Sequence, residues 1–200
     1  MAEVGEMVSP MTEIIPYIPE KRARPARYLE GWPTAWHPNE DILQQLLYDF
    51  NVKRGIALEF GSEHGHSAIA LSNFFDKVIC VDPWMQQITD QSKPMYDVVR
   101  ENVSRYPNII LVRETWQEFC KPFRNGMPHW LKADLIHIDA EHNYQECYGN
   151  GLWACENAPV VIFHDTVSFP EVSRAVSDLA EKFHRKFYEF QEGWGLGILA

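Results

Sequence analysis

From Gly55 onward the chain alternates between two kinds of segment, and no other feature restricts its fold as strongly. Residues 56–60, 77–81, 108–112, 134–138 and 160–163 are short apolar runs of strand length. The stretches between them are helical or long enough to be. Residues 67–75 read as a helix. Ser92 and Pro94 open another, with Met95, Val98, Val99, Val103 and Tyr106 on one face. The helix after the fourth run carries Tyr144, Cys147, Tyr148, Gly151, Leu152 and Cys155 on one side. The one after the fifth turns Val172, Ala175, Val176, Leu179 and Phe183 inward. Strand–helix alternation implies a parallel sheet covered by helices on both faces. Two last strands, 186–190 and 196–200, are joined only by Gln191-Glu192-Gly193-Trp194-Gly195. A turn that short cannot make a parallel crossover, so the last strand should run antiparallel. The expected fold is α/β: seven strands, mostly parallel, with one antiparallel strand at the end.

Residues 36–200 form the expected domain, preceded by an irregular, Pro-rich arm over 1–35. Asn39 is expected to cap the first helix, with Glu40 and Asp41 in its first turn and Ile42, Leu43, Leu46, Leu47 and Phe50 inward. The arm's Tyr17, Tyr28, Trp32 and Trp36 are expected to pack on the core, with a substrate-pocket wall as the alternative. Its basic stretch, Lys21 to Arg27, reads as a solvated arm, or else as a clamp for an acidic substrate or a cofactor carboxylate. The formal net charge of -10 repels a phosphate backbone, which argues against bulk nucleic acid as partner. No apolar run is long enough to span a bilayer, and residues 1–19 are acidic and unlike a signal peptide. Cys80, Cys120, Cys147 and Cys155 lack zinc-type spacing and read as buried free thiols. A soluble cytoplasmic protein is therefore expected, with homo-oligomer formation left open.

In an open α/β sheet, ligands bind beyond the carboxyl ends of the strands. Those positions hold Glu59 to Gly65, Asp82-Pro83-Trp84, Glu114-Thr115-Trp116, Asp139 to His142 and His164-Asp165-Thr166. The first segment, Glu-Phe-Gly-Ser-Glu-His-Gly, joins a strand to a helix. Gly61 and Gly65 permit a sharp turn and close backbone approach, and the helix N-terminus offers free N–H groups to a carboxylate. Glu59 would repel a pyrophosphate but could hold an ammonium, directly or through water. Asp82 ends the second strand about twenty residues on, where an acid bonds ribose hydroxyls. Trp84 and Trp116 flank the expected adenine slot, where stacking and plain core packing are equally open readings.

Residues 58–84 (LEFGSEHGHSAIALSNFFDKVICVDPW) resemble motif I through the acidic second-strand end of class I methyltransferases that use S-adenosylmethionine (SAM). DLIHIDAEHNY over 134–144 and VVIFHDT over 160–166 resemble a subgroup of macrocin-type and cephalosporin-hydroxylase-type small-molecule O-methyltransferases, as does the closing GWGLG. The resemblance covers about residues 55–200 and implies a Rossmann-like fold and SAM as cofactor. It places Glu59, Gly61 and Gly65 around the methionine end of SAM and Asp82 on the ribose; Ser62, Ser67, Trp84, Thr115, Trp116 and Asp139 complete the expected cofactor contacts. It places Asp139 beside the transferred methyl, as base or as a holder of a divalent metal. Two departures stand out: Ala158-Pro159 replaces the family's Gly-Gly before the fifth strand, and His164 precedes Asp165 where metal-dependent relatives carry two acids.

Methyl transfer is an in-line displacement in which the acceptor loses a proton to a base or to a metal-acidified site. Asp139, His142 and Asp165 end adjacent strands and can converge. His142 is the expected base because imidazole titrates near neutral pH, with a capping role on the following helix as the equally open reading. Asp139 and Asp165 would orient it or hold Mg²⁺. His164 is expected as a satisfied core histidine, His64 and His66 as exposed turn residues, and His37, His129 and His184 as surface or packing residues. The expected function is SAM-dependent O-methylation of a hydroxylated small molecule. The alternatives are a non-catalytic SAM-binding or interaction module on the same fold, and an NAD-dependent oxidoreductase.

Overall fold

The computed structural model describes residues 12–31, 34, 36–85, 93–123, 128 and 131–200. Trp32, Ser92 and His129 lie outside the described residues. An eight-stranded sheet runs in the order β1-β7-β8-β6-β5-β2-β3-β4. In chain order the strands are β1 (Ile14–Pro16), β2 (Ile56–Phe60), β3 (Lys77–Val81), β4 (Ile109–Val112), β5 (Leu135–Ile138), β6 (Val160–His164), β7 (Phe187–Phe190) and β8 (Leu196–Leu199). The helices are α1 (Asn39–Asp49), α2 (His66–Leu71), α3 (Met95–Val103), α4 (Trp116–Cys120), α5 (Tyr144–Asn157) and α6 (Pro170–Phe183). As the short final turn required, β8 runs antiparallel between β6 and β7.

The eighth strand corrects the expected seven. Within the arm, Ile14, Ile15 and Pro16 pair in parallel with Phe187, Tyr188 and Glu189. Three residues ending in proline carry no readable period, and proline is tolerated because this is the sheet's edge. The arm is fastened by its arginines. Arg22 forms a bidentate pair with Glu192 at 2.8 and 2.7 Å and lies over the Phe190 ring. Arg24 meets Glu40 at 3.2 Å and lies over the Tyr28 ring. Arg27 donates to the Ser72 carbonyl and to Asn108. These cations bind the chain's own acids and carbonyls and are not presented as a clamp.

Side chains alternate across the pleat, so successive residues of each central strand serve two different cores. Ala57, Val78, Cys80, Leu135, Val160 and Ile162 pack with α1, α2 and the arm's Tyr17 and Trp36. Leu58, Phe60, Ile79, Val81, Ile136, Ile138, Val161 and Phe163 pack under α5 and α6. All four cysteines are free and buried. Asn39 is the first residue of α1, not its cap; its amide donates to the Gly193 carbonyl. Among the described residues no helix is long and apolar enough to cross a membrane.

Candidate active site

At the carboxyl ends of β2, β3, β5 and β6 the sheet opens into a cavity of about 850 Å³, within the size range of small-molecule sites. Its floor is the turn between β2 and α2. Gly61 has φ +84°, and a Cβ there would lie 1.9 Å from the Asp139 carbonyl oxygen. Glycine is needed because the turns after β2 and β5 touch backbone to backbone. Asp82 holds this turn: one carboxylate oxygen accepts the N–H of Ser62 (2.9 Å) and of Glu63 (3.1 Å), and the other accepts the N–H of Trp84 (2.7 Å). The Trp84 indole N–H closes the loop by donating to the Glu63 carbonyl at 2.9 Å. Ser62, Ser67, Asp82, Trp84, Thr115 and Trp116 all line the cavity. Thr115 also caps α4 in a reciprocal box with Glu118, and the Trp116 indole donates to Glu146 at 2.9 Å. Gly65 starts α2 in the left-handed region, against Val99 and Val103.

Glu59 departs from the direct ammonium contact that its position in the motif suggested. It lies on the α1–α2 face of β2, fully buried, and in register with His137. One of its oxygens meets His137 Nδ1 at 2.9 Å and the other accepts the Ser62 hydroxyl. The Trp36 indole N–H donates to His137 Nε2 at 3.2 Å. An indole N–H only donates, so Nε2 is the acceptor and Nδ1 carries the proton given to Glu59. The arm, β5 and the glycine turn are thus joined through one buried chain that reaches the cavity at Ser62 and Trp36.

The wall beside the glycine turn gathers Asp139, His142, His164 and Asp165. His142 Nε2 lies 2.6 Å from Asp165, and its ring stacks on Phe169 with centroids 4.1 Å apart. Asn143, not His142, caps α5. Asp165 is buried and holds φ +68°, a strained backbone for a non-glycine residue. His164 is buried as expected, yet it belongs to the cluster. Its Nδ1 sits 3.2 Å from Asp165 and 3.5 Å from Asp139, and its Nε2 faces the Gly193 carbonyl at 3.1 Å. Burial opposes its charge, but the two carboxylates outweigh burial and push its pKa up to about 10. Burial would likewise raise Asp139, yet the hydrogen bond and charge of His164 hold it below the ordinary carboxylate value.

Asp139, His164 and Asp165 bring ligand atoms within 4.8 Å of one another. Mg²⁺ favours oxygen ligands, so the imidazole among these three donors makes the set a poorer match to it than an all-carboxylate one.

His64 and His66 are not the exposed turn residues expected. His66 opens α2 on the cavity wall and is buried, so that burial, reinforced by His64 and opposed by Glu63, lowers its pKa to about 4. Its Nε2 is a buried nitrogen without a hydrogen-bond partner among the described residues. Sequence reasoning also passed over His137, though a histidine inside the apolar run Leu135–Ile138 signals a buried partner.

Comparison with known proteins agrees with this architecture. The model of a methyltransferase domain family matches residues 58–166. No curated protein matches the chain. Among solved structures, an O-methyltransferase from Bacillus cereus in complex with SAH superposes with a TM-score of 0.58 at 15% identity, covering 82% of this chain and 81% of that one. A Staphylococcus aureus protein described as a caffeoyl-CoA O-methyltransferase gives 0.59 at 16% identity, covering 80% and 81%. The C-terminal domain of a precorrin-6Y C5,15-methyltransferase from Rhodobacter capsulatus gives 0.56 at 13% identity, covering 91% and 98%. At such identities the structures establish the Rossmann-like fold alone. The family match extends over more than half of the chain, from the glycine turn through the His164-Asp165 strand end, and by it the chain belongs to the methyltransferase domain family.

Proposed function

We propose that the protein moves the methyl group of SAM to a hydroxyl oxygen of a small molecule, with His142 as general base. The observation that carries this reading is the His142–Asp165 contact of 2.6 Å on the wall of the same cavity whose floor is the glycine turn. The methionine end of SAM would lie along Gly61, Ser62, Gly65 and Ser67. Its ribose would share Asp82, whose two oxygens offer about four lone-pair directions and spend three on backbone N–H groups. The adenine would lie between Trp84 and the Thr115–Trp116 step. Glu59 would act through Ser62 rather than by touching the ligand.

In the transfer, the acceptor oxygen forms its bond to the methyl carbon as the carbon–sulfur bond breaks, and the sulfur keeps that electron pair. The hydroxyl proton passes to His142. With Nε2 turned to Asp165, Nδ1 is the atom left to receive it, and the buried carboxylate stabilises the imidazolium that forms. Asp139 flanks the reacting centre, with His164 balancing its charge. Titration with SAH, the demethylated product, is the direct test. Saturable heat is the expected result, and none at high protein concentration would refute the cofactor reading.

A further inference from the structure

The same cavity has a mouth whose chemistry restricts the acceptor. Trp194 lines it and remains 54% exposed, unusual for so large an apolar side chain. Its position is enforced. Trp194 has φ +69° between Gly193 (φ +57°) and Gly195 (φ +94°). A Cβ at Gly193 would meet Pro38 Cδ at 2.7 Å, and one at Gly195 would meet the Val167 nitrogen at 2.5 Å. The turn is therefore wedged between the start of α1 and the chain after β6. The Trp194 carbonyl accepts the N–H groups of Val167 and Ser168, each at 3.1 Å. Backbone held this firmly in the left-handed region presents the indole rather than letting it fold away. Its ring lies 6.5 Å from Phe169, which stacks on His142, so an aromatic row leads from the mouth to the base.

The charge around that row is mainly negative. Glu63, Asp82, Asp139, Glu141, Glu146 and Asp165 line the cavity; the cation among them is His164, held between Asp139 and Asp165, and no lysine or arginine lines it among the described residues. A cleft with such an excess of one charge repels ligands of that sign and concentrates those of the other.

We propose that Trp194 is the stacking platform for the acceptor, and that the acceptor is a hydroxylated ring carrying a neutral or positive substituent, not a carboxylate or phosphate. This rests on the methyltransferase reading of the same site. The ring's flat face lies on the indole and its hydroxyl is directed along Phe169 toward His142. An anionic tail meets the acidic wall.

Three catechols of similar size that differ in charge test the inference: 3,4-dihydroxybenzylamine, 4-methylcatechol and 3,4-dihydroxybenzoate. Each is titrated into the full chain with and without saturating SAH, followed by calorimetry. The amine is expected to bind about tenfold or more tighter than the benzoate, with methylcatechol between. Trp194→Asn removes the ring while keeping a residue that tolerates left-handed backbone. It should weaken all three by a similar factor of about fivefold or more, and Trp194→Tyr should retain most of the affinity. Equal or tighter binding of the benzoate overturns the charge argument. Undiminished binding to Trp194→Asn, or no catechol bound at millimolar concentration, overturns the platform. Failure of SAH to bind refutes the cofactor reading instead, and the titrations without SAH still decide this one.

Discussion

Replacing Gly61 by alanine should damage both fold and site, and a matched control isolates the reason. Gly61 and Gly31 both hold φ +84°. A Cβ at Gly31 meets nothing within 4 Å, whereas one at Gly61 falls 1.9 Å from the Asp139 oxygen, 2.5 Å from its carbonyl carbon and 2.9 Å from Ala140 Cα. Both substitutions therefore incur the left-handed penalty of roughly 1–2 kcal/mol. Only Gly61→Ala must also separate two backbone turns, an overpacking cost of about 1–3 kcal/mol and towards the upper end because all three contacts are backbone atoms. At roughly 2–4 °C per kcal/mol for a chain of this size, Gly61→Ala should melt about 4–12 °C below Gly31→Ala. Calorimetric melting of both variants beside the wild type gives the comparison. Gly61→Ala should also lose SAH binding, since the glycine turn and Asp139 move apart. If the two variants melt together, the close approach of these turns is not what requires glycine, and the account of the cavity floor fails.

Three further outcomes follow from the same geometry. His142→Gln should lower kcat by about 10²- to 10⁴-fold on any accepted substrate while leaving SAH affinity within about twofold, as read by turnover and calorimetry. The triple variant Arg22→Met, Arg24→Met, Arg27→Met should bind SAH as the wild type does yet lose the arm to limited proteolysis more quickly, because these cations fasten residues 12–31 and do not face the cavity. His164 titrates near 6.5 when unfolded and near 10 when folded, so the folded state holds the proton more tightly. Its stabilisation is complete below about pH 6.5 and is lost as pH rises towards 10. Urea unfolding across that window should show a decline that His164→Gln abolishes.

The strand-end logic was legible because it is local. Apolar runs closing on Asp82, Asp139 and His164-Asp165 fix where the ligand-facing edge lies, and the five-residue link before β8 settles that strand's direction. What was illegible depends on neighbours far apart in the chain. β1 exists because Phe187–Phe190 offers an open edge, and nothing in Ile14–Pro16 announces that partner. Glu59 looked like a ligand-facing acid from its motif, but β5 places His137 directly beside it, and both are fully buried behind Ser62 and Trp36, which line the cavity. Trp36 is joined to them only by the arm's path across the sheet. His164 reads as an ordinary strand residue until two carboxylates from different turns close on it.

The central claim is that one cavity holds SAM on the glycine turn and its acceptor beside His142. A crystal structure of the protein grown with SAH tests it most directly. The account predicts the nucleoside between Trp84 and Trp116, one ribose hydroxyl on Asp82, and the sulfur facing the His142–Asp165 pair. Density for SAH elsewhere, or a sulfur directed away from His142, would contradict it.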